Sequence, residues 1–428
     1  MKGEAVSGGG SPLILRALRH RNYRLFFAGQ LVSLTGTWVQ SVAQAWLVYR
    51  LTASASLLGL AGFVGQIPVF ALAALGGVAA DRRNRQRILV TTQVASMLLA
   101  FALAALTLTG RVRVWQVFAL AALVGLVNAF DIPARQAFVV EMVGREDLPN
   151  AIALNSVLVN GARIIGPSLA GLLVAAVGEG WCFLLNALSY AAVVAGLLLM
   201  RVAPRAAPSG RGRALSELSE GFAFVWRHGP VRAVLALLGL TSVAGVPYVV
   251  LMPLFADRVL GGGPRSLGFL LGAAGAGALA GALVAASRRG LRGLGGRIAL
   301  ASASFGVCLV LFSLSRSFWV SAALLLPAGC SWMLQLTASN TYVQAVVPDR
   351  LRGRVMAFYS MMFMGMAPFG ALLAGGLAER FGAPLAVGAG GLTCLAGAAV
   401  FAARLKSLRR ARENDSPVEE ATEVLPAG

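Results

Sequence analysis

Apolar residues run in blocks of about twenty or more along nearly the whole chain, and short polar gaps part them. A helix rising about 1.5 Å per residue needs roughly 20 mostly apolar residues to cross hydrocarbon. The pattern therefore predicts twelve membrane spans, the first six near residues 23–48, 55–80, 88–109, 115–138, 151–177 and 181–200. The second six fall near 232–255, 266–287, 297–315, 318–342, 355–378 and 384–404. Between the sets, RVAPRAAPSGRGR reads as a linker, and ALSELSEGFAFVWRH places Leu215, Leu218, Phe222 and Val225 at helical spacing, as in an amphipathic helix lying on a membrane surface. The expected organisation is a tail (1–21), a six-helix bundle (22–200), a linker with its amphipathic helix (201–231), a second six-helix bundle (232–405) and a second tail (406–428).

The two sets repeat. Sliding the chain by 204 residues lays Trp115 on Trp319, Gly125 on Gly329, Ser156 on Ser360, Gly161 on Gly365, Gly166 on Gly370, Gly171 on Gly375 and Gly178 on Gly382. Alanine and leucine coincide by chance in so apolar a chain, whereas glycine and tryptophan on one offset do not. Two matching six-helix bundles in parallel orientation form the architecture of the major facilitator fold.

Composition fits lipid as the main solvent, with 57% hydrophobic residues, 13% charged and a mean hydropathy of +0.75. A net charge of +20 raises nucleic acid as a partner, but the basic residues sit between spans and form no stripe interleaved with aromatics. They report topology instead. With the N-terminus inside, inner segments hold 28 Lys and Arg and outer gaps seven, while Arg135 and Arg163 fall within spans. Both termini are expected in the cytoplasm of a bacterial cell, with no cleaved signal peptide. Cys182, Cys308, Cys330 and Cys394 lie in apolar runs without metal-ligand spacing, and His20 and His228 stand far apart, so no metal, cofactor or disulfide frame is expected.

The gap after the second span reads GGVAADRRNRQRIL. It resembles the loop signature of the major facilitator superfamily, matched by Gly77, Asp81, Arg82 and Arg85, with Asn84 in place of a glycine and Gln86 in place of a basic residue. Asn84 is expected to take the left-handed turn that glycine would supply. In span five, NGARIIGPSLAG resembles the signature of the superfamily's exporters and antiporters through Ala162, Gly166, Pro167, Ala170 and Gly171, whose small side chains let helices approach closely. AFDIPARQAF, WCFLLNALSY and VPDRLRGRVMAFYS resemble a bacterial subgroup of siderophore and drug efflux carriers. The resemblance, over roughly residues 14–405, implies an exporter working by alternating access, with a small-molecule substrate, membrane lipid and a coupling proton as partners.

Polar residues inside spans supply the candidate site, since each buried charge costs roughly 2.5–3.5 kcal/mol on insertion scales. Asp131 and Arg135, one turn apart, are expected to pair and to form an inner gate with Asp81 and Arg85; a static salt bridge at the headgroup boundary is the alternative. Arg163 lies about 18 Å into span five, near mid-bilayer. With Asn155, Asn160, Asn128, Gln40 and Gln44 it is expected to line a substrate path, although each amide would serve equally as a packing hydrogen bond.

ATP is not a direct driver within this chain, because a Walker A loop requires a lysine after its glycines and the only lysines are Lys2 and Lys406. That leaves an ion gradient, with Asp131 as the proton-carrying candidate. An importer or uniporter on the same fold, and more remotely a membrane-embedded enzyme or receptor, are the competing readings; no clustered set of catalytic residues supports the enzyme.

Overall fold

The computed structural model describes residues 13–144, 146–201, 214–287 and 293–414, without the side chains of 13–15, 214–219 and 406–414. The linker stretch 202–213, Arg145, Arg288, Arg289, Arg292 and most of the two tails lie outside the described residues, as do the side chains of Leu215 and Leu218.

The described chain is helical, with no strand among the described residues. A 3-10 turn, Leu13–Arg19, leads into α1 (Arg21–Thr52), α2 (Ala55–Arg82), α3 (Arg85–Leu108), α4 (Val114–Val143), α5 (Leu148–Val177) and α6 (Glu179–Leu199). The surface helix α7 (Ala214–Arg227) precedes α8 (Gly229–Val259), α9 (Gly263–Ser287), α10 (Leu294–Leu314), α11 (Phe318–Val346), α12 (Asp349–Phe381) and α13 (Ala383–Asn414). Eleven of these helices are long and apolar enough to span a membrane. The 32-residue α1 is long enough but too polar, because it carries Gln30, Ser33, Thr35, Thr37, Gln40, Ser41 and Gln44. Of these, Gln30, Ser33 and Gln40 are buried against protein.

Local chemistry sets the helix ends. Ser54 caps α2 by accepting the Leu57 N–H, and the Asn84 side chain accepts the Arg87 N–H at the start of α3. Asn84 has φ −63°, so the expectation of a left-handed turn there is corrected. It works as an N-cap, where its amide oxygen supplies a side-chain acceptor that glycine lacks. Between α5 and α6 the chain turns at Gly178 (φ 86°, ψ 172°), and between α12 and α13 at Gly382 (φ 87°, ψ 152°). These glycines are partners on the 204-residue offset, and their backbones agree. Gly125 and Gly329 agree in packing: a Cβ would strike the Gly65 carbonyl of α2 at the first and the Ala274 carbonyl of α9 at the second.

The chain divides into two compact units, residues 1–210 with 256–272, and 211–255 with 273–428. Tyr23, Phe26, Leu89, Phe138, Val193 and Leu197 form a core of the first. Val231, Leu238, Ile298, Val343, Val355 and Phe401 form a core of the second. In the second unit α7 lies against the start of α12, where Gly221 meets Arg354 and Glu220 pairs with Arg354. Its Phe222 and Trp226 stack in the open (5.8 Å between centroids) and Arg232 covers Trp226, an arrangement suited to the headgroup layer.

The 3-10 turn is tied to the α4–α5 junction. Asp147 accepts from His20 Nε2 (2.7 Å) and pairs with Arg16 Nε (2.6 Å), while Asn150 Oδ1 accepts the Ala17 N–H (2.8 Å). The His20 hydrogen bond, with help from Arg16, holds the Asp147 carboxyl below its ordinary value although burial opposes this. A depressed carboxylate stabilises the folded clasp above its unfolded value, and the contribution disappears as pH falls through the folded one. Protection of residues 13–20 against hydrogen exchange, corrected for the intrinsic pH dependence of exchange, should therefore hold from neutral pH down to about pH 4 and fall below it. Asp147→Ala should release the segment at neutral pH.

Candidate functional site

The first unit holds a buried charge on α4. Asp131 is 1% exposed, and each carboxylate oxygen is occupied. One accepts from Thr92 Oγ1 and Gln93 Nε2 of α3, both at 2.8 Å. The other takes Arg135 in an i,i+4 ion pair through Nε (3.0 Å) and NH2. Arg135 NH1 continues to Gln30 Oε1 of α1 at 3.1 Å. Three helices thus meet at one carboxylate. Burial in low dielectric makes each bond strong and makes an unpaired member costly.

Arg135, Gln30 and Gln93 also border a cavity of about 150 Å³. Gln40, Gln44, Asn128, Asn186 and Tyr190 contribute further polar groups to its wall. Gln40 Oε1 accepts from Asn186 Nδ2 (2.6 Å), fixing the two amides. Gln93 Oε1 is buried without a hydrogen-bond partner, which leaves an acceptor beside the chamber. At about 30 Å³ per water the chamber holds roughly five waters, well short of the 300 Å³ or more that encloses a drug-sized ligand.

Of the expected path residues, Gln40, Gln44 and Asn128 line this chamber, whereas Asn155, Asn160 and Arg163 do not. Asn160 donates to Ser156 O of its own helix at 2.8 Å. The Arg163 guanidinium lies 5.5 Å from the Trp38 ring centre, against α1. Arg135 thus takes the place at the chamber that the sequence reading gave to Arg163. Gln30, Thr92, Gln93, Asn186 and Tyr190 were missed. A polar residue in a span of otherwise apolar sequence was the available signal.

The loop motif separates from this cluster. Arg85 donates to Glu141 (2.8 Å), to the carbonyls of Ala137 (3.1 Å) and Ala80 (2.9 Å), and only at 3.4 Å to Asp81, which is 68% exposed. The four-residue gate of Asp81, Arg85, Asp131 and Arg135 is therefore not assembled as expected. Arg85 and Glu141 form one lock, and Asp131 and Arg135 form another. Steric demand falls on Gly76, where a Cβ would strike the Ala129 carbonyl, and a Cβ at Gly77 would meet open space. Glu141→Ala should cost roughly 3 kcal/mol, as for breaking a largely buried pair. Asp81→Ala should cost under about 1 kcal/mol, as for an exposed one. Thermal unfolding of the purified variants orders the two.

The small-residue motif of α5 has two working faces. A Cβ at Gly166 would collide with Trp38 of α1. Gly171 opposes Gly268 of α9 so closely that a Cβ on either would lie 2.7–2.8 Å from the other's Cα. Pro167 and Ala170 are buried between these contacts, and Ala162 is buried one turn before them. Nearby at the α1 end, Tyr49 OH donates to Asp257 (2.5 Å), and Arg258 donates to the Ala53 carbonyl (2.8 Å). Among the described residues no three His, Cys, Asp or Glu side chains gather to hold a metal.

Residues 13–424 match the transmembrane secretion effector family. The chain is 25% identical to the staphyloferrin A transporter of Staphylococcus aureus over 84% of its own length and 90% of that protein's. It is 27% identical to the multidrug efflux pump Tap of Mycolicibacterium fortuitum, covering 84% and 89%, and 27% identical to the enterobactin exporter EntS of Shigella boydii, covering 93% and 95%. Its fold resembles the nucleoside transporter NupG, with a TM-score of 0.73 at 13% identity over 92% of this chain and all of that one. A bacterial homologue of the iron transporter ferroportin gives a TM-score of 0.67 at 15% identity over 89% and 98%. The chain belongs to the transmembrane secretion effector family of the major facilitator superfamily, and it is a multi-pass membrane transporter and not an enzyme.

Proposed function

We propose that this transporter exports an amphipathic small molecule, of the siderophore or drug type that the names of its relatives describe, by alternating access in exchange for protons. The two bundles of residues 22–200 and 232–405 would be the moving parts. The arginine-rich helix ends and both termini would face the cytoplasm, a reading supported by the inner excess of Lys and Arg.

The observation that carries the reading is the buried Asp131–Arg135 pair, whose arginine lines a polar chamber. Its sign decides which cargo chemistry fits. A cargo acceptor that drew Arg135 away would favour protonated Asp131, so cargo and proton would travel together. A cargo donor that engaged Gln30 Oε1 would leave Arg135 on Asp131 and favour the carboxylate. Cargo and proton would then exclude each other, as exchange requires. Export against an inward proton gradient needs the second case, so the cargo should present hydroxyl or amine donors, as neutral catechols and amphipathic amines do. The gradient suffices, since each charge moved through 100 mV is worth about 2.3 kcal/mol. Everted membrane vesicles energised to an acidic interior test this with enterobactin and ethidium as probes. Export predicts accumulation that a protonophore abolishes, and accumulation only in right-side-out vesicles would reverse the direction.

A further inference from the structure

A second cavity in the first unit shares only Thr92 with the Asp131 cluster. It is a groove of about 830 Å³ between α2, α3 and α4. Its walls are mainly apolar, formed by Leu75, Val78, Ala95, Leu126, Val127 and Phe130, with Thr91 and Thr92 between them and the arginines. Leu75, Val78 and Leu126 are among the exposed large hydrophobic side chains of the protein. At one end the lining changes to Arg82, Arg83, Asn84 and Arg87. The loop arginines differ in their use. Arg85 is folded inward onto Glu141, whereas Arg82, Arg83 and Arg87 are exposed and have no ion pair among the described residues.

We propose that this groove is a phospholipid site, with an anionic headgroup phosphate held by Arg82, Arg83 and Arg87 and an acyl chain laid along the apolar wall. The shape and the charge require an amphiphile. A free anion would leave the apolar wall uncovered, and a neutral hydrocarbon would leave three guanidinium groups without a counter-charge. Guanidinium is weakly hydrated and binds phosphate in a bidentate fork, so arginine suits a site at the edge of hydrocarbon. Basic side chains at that depth each gain about 1 kcal/mol from anionic lipid. The plain alternative is that the three arginines only set topology, which would require charge near the membrane but no particular lipid in the groove. The site stands independently of cargo and direction.

The test uses delipidated full-length protein in dodecyl maltoside, with thermal unfolding followed during additions. Dioleoylphosphatidylglycerol should raise the midpoint, whereas dioleoylphosphatidylcholine and inorganic phosphate should not. In R83Q/R87Q the half-saturating phosphatidylglycerol concentration should rise roughly thirtyfold, as two lost contacts of that size imply. If that variant fails to fold, Leu75→Trp, which narrows the acyl portion, should weaken the same response. Equal shifts with the two lipids, an unchanged response in R83Q/R87Q or, in its stead, in Leu75→Trp, or a full shift with phosphate alone would each overturn the lipid assignment.

Discussion

Asp131→Asn abolishes accumulation driven by a pH gradient while leaving exchange of cargo for cargo. A gradient of one pH unit is worth about 1.4 kcal/mol per proton, which supports roughly tenfold accumulation by the unaltered protein. The variant should reach a ratio near one. Asparagine keeps the shape of the carboxyl and its contacts to Thr92 and Gln93, but it takes no proton and leaves Arg135 without its counter-ion. Because a buried arginine stripped of its partner costs several kcal/mol, the variant should also unfold earlier, so yield and unfolding midpoint must be recorded with transport. Asp131→Glu, which keeps the titratable group, should recover part of the gradient-driven activity. Accumulation unchanged in Asp131→Asn would remove Asp131 from the coupling path.

Gly171→Leu should lower transport by at least about tenfold or prevent folding outright, since overpacking a tight contact costs 1–3 kcal/mol or more. The obstruction is backbone: a new Cβ at residue 171 would lie 2.7 Å from the Pro264 carbonyl and 2.8 Å from Gly268 Cα. A flexible side chain can move aside, but two helices in backbone contact must separate. Gly161→Leu is the matched control, ten residues earlier in the same helix, where a Cβ would meet nothing within 4 Å. It should transport normally. Equal loss in both variants would mean that α5 tolerates no bulk anywhere, and the contact with α9 would lose its special place.

These outcomes reflect how unevenly sequence reports on such a protein. Long apolar runs make spans visible, and the glycine repeat was legible because close helix contact and positive φ admit few other residues, as Gly125 with Gly329 and Gly178 with Gly382 illustrate. The Asp131–Arg135 pair was legible because i,i+4 spacing fixes which side chains meet on one helix. Partners on other helices were not. Glu141 lies 56 residues from Arg85, and Gln30 lies 105 from Arg135, with nothing local to join them. Spans that are apolar all round also hide which face looks inward, so the place of Arg163 against Trp38 was not readable. Asn84 caps a helix start and takes no left-handed turn, which a pattern match could not reveal.

The account rests on exchange between cargo and a proton at the Asp131–Arg135 pair, and proton release on binding measures that directly. Enterobactin is added to the purified protein in weakly buffered detergent solution and the pH followed. At a pH acidic enough for Asp131 of the free protein to carry its proton, release approaching one proton per bound molecule is predicted for the unaltered protein, and none for Asp131→Asn with binding retained. Proton uptake on binding, or equal release from the variant, would contradict it.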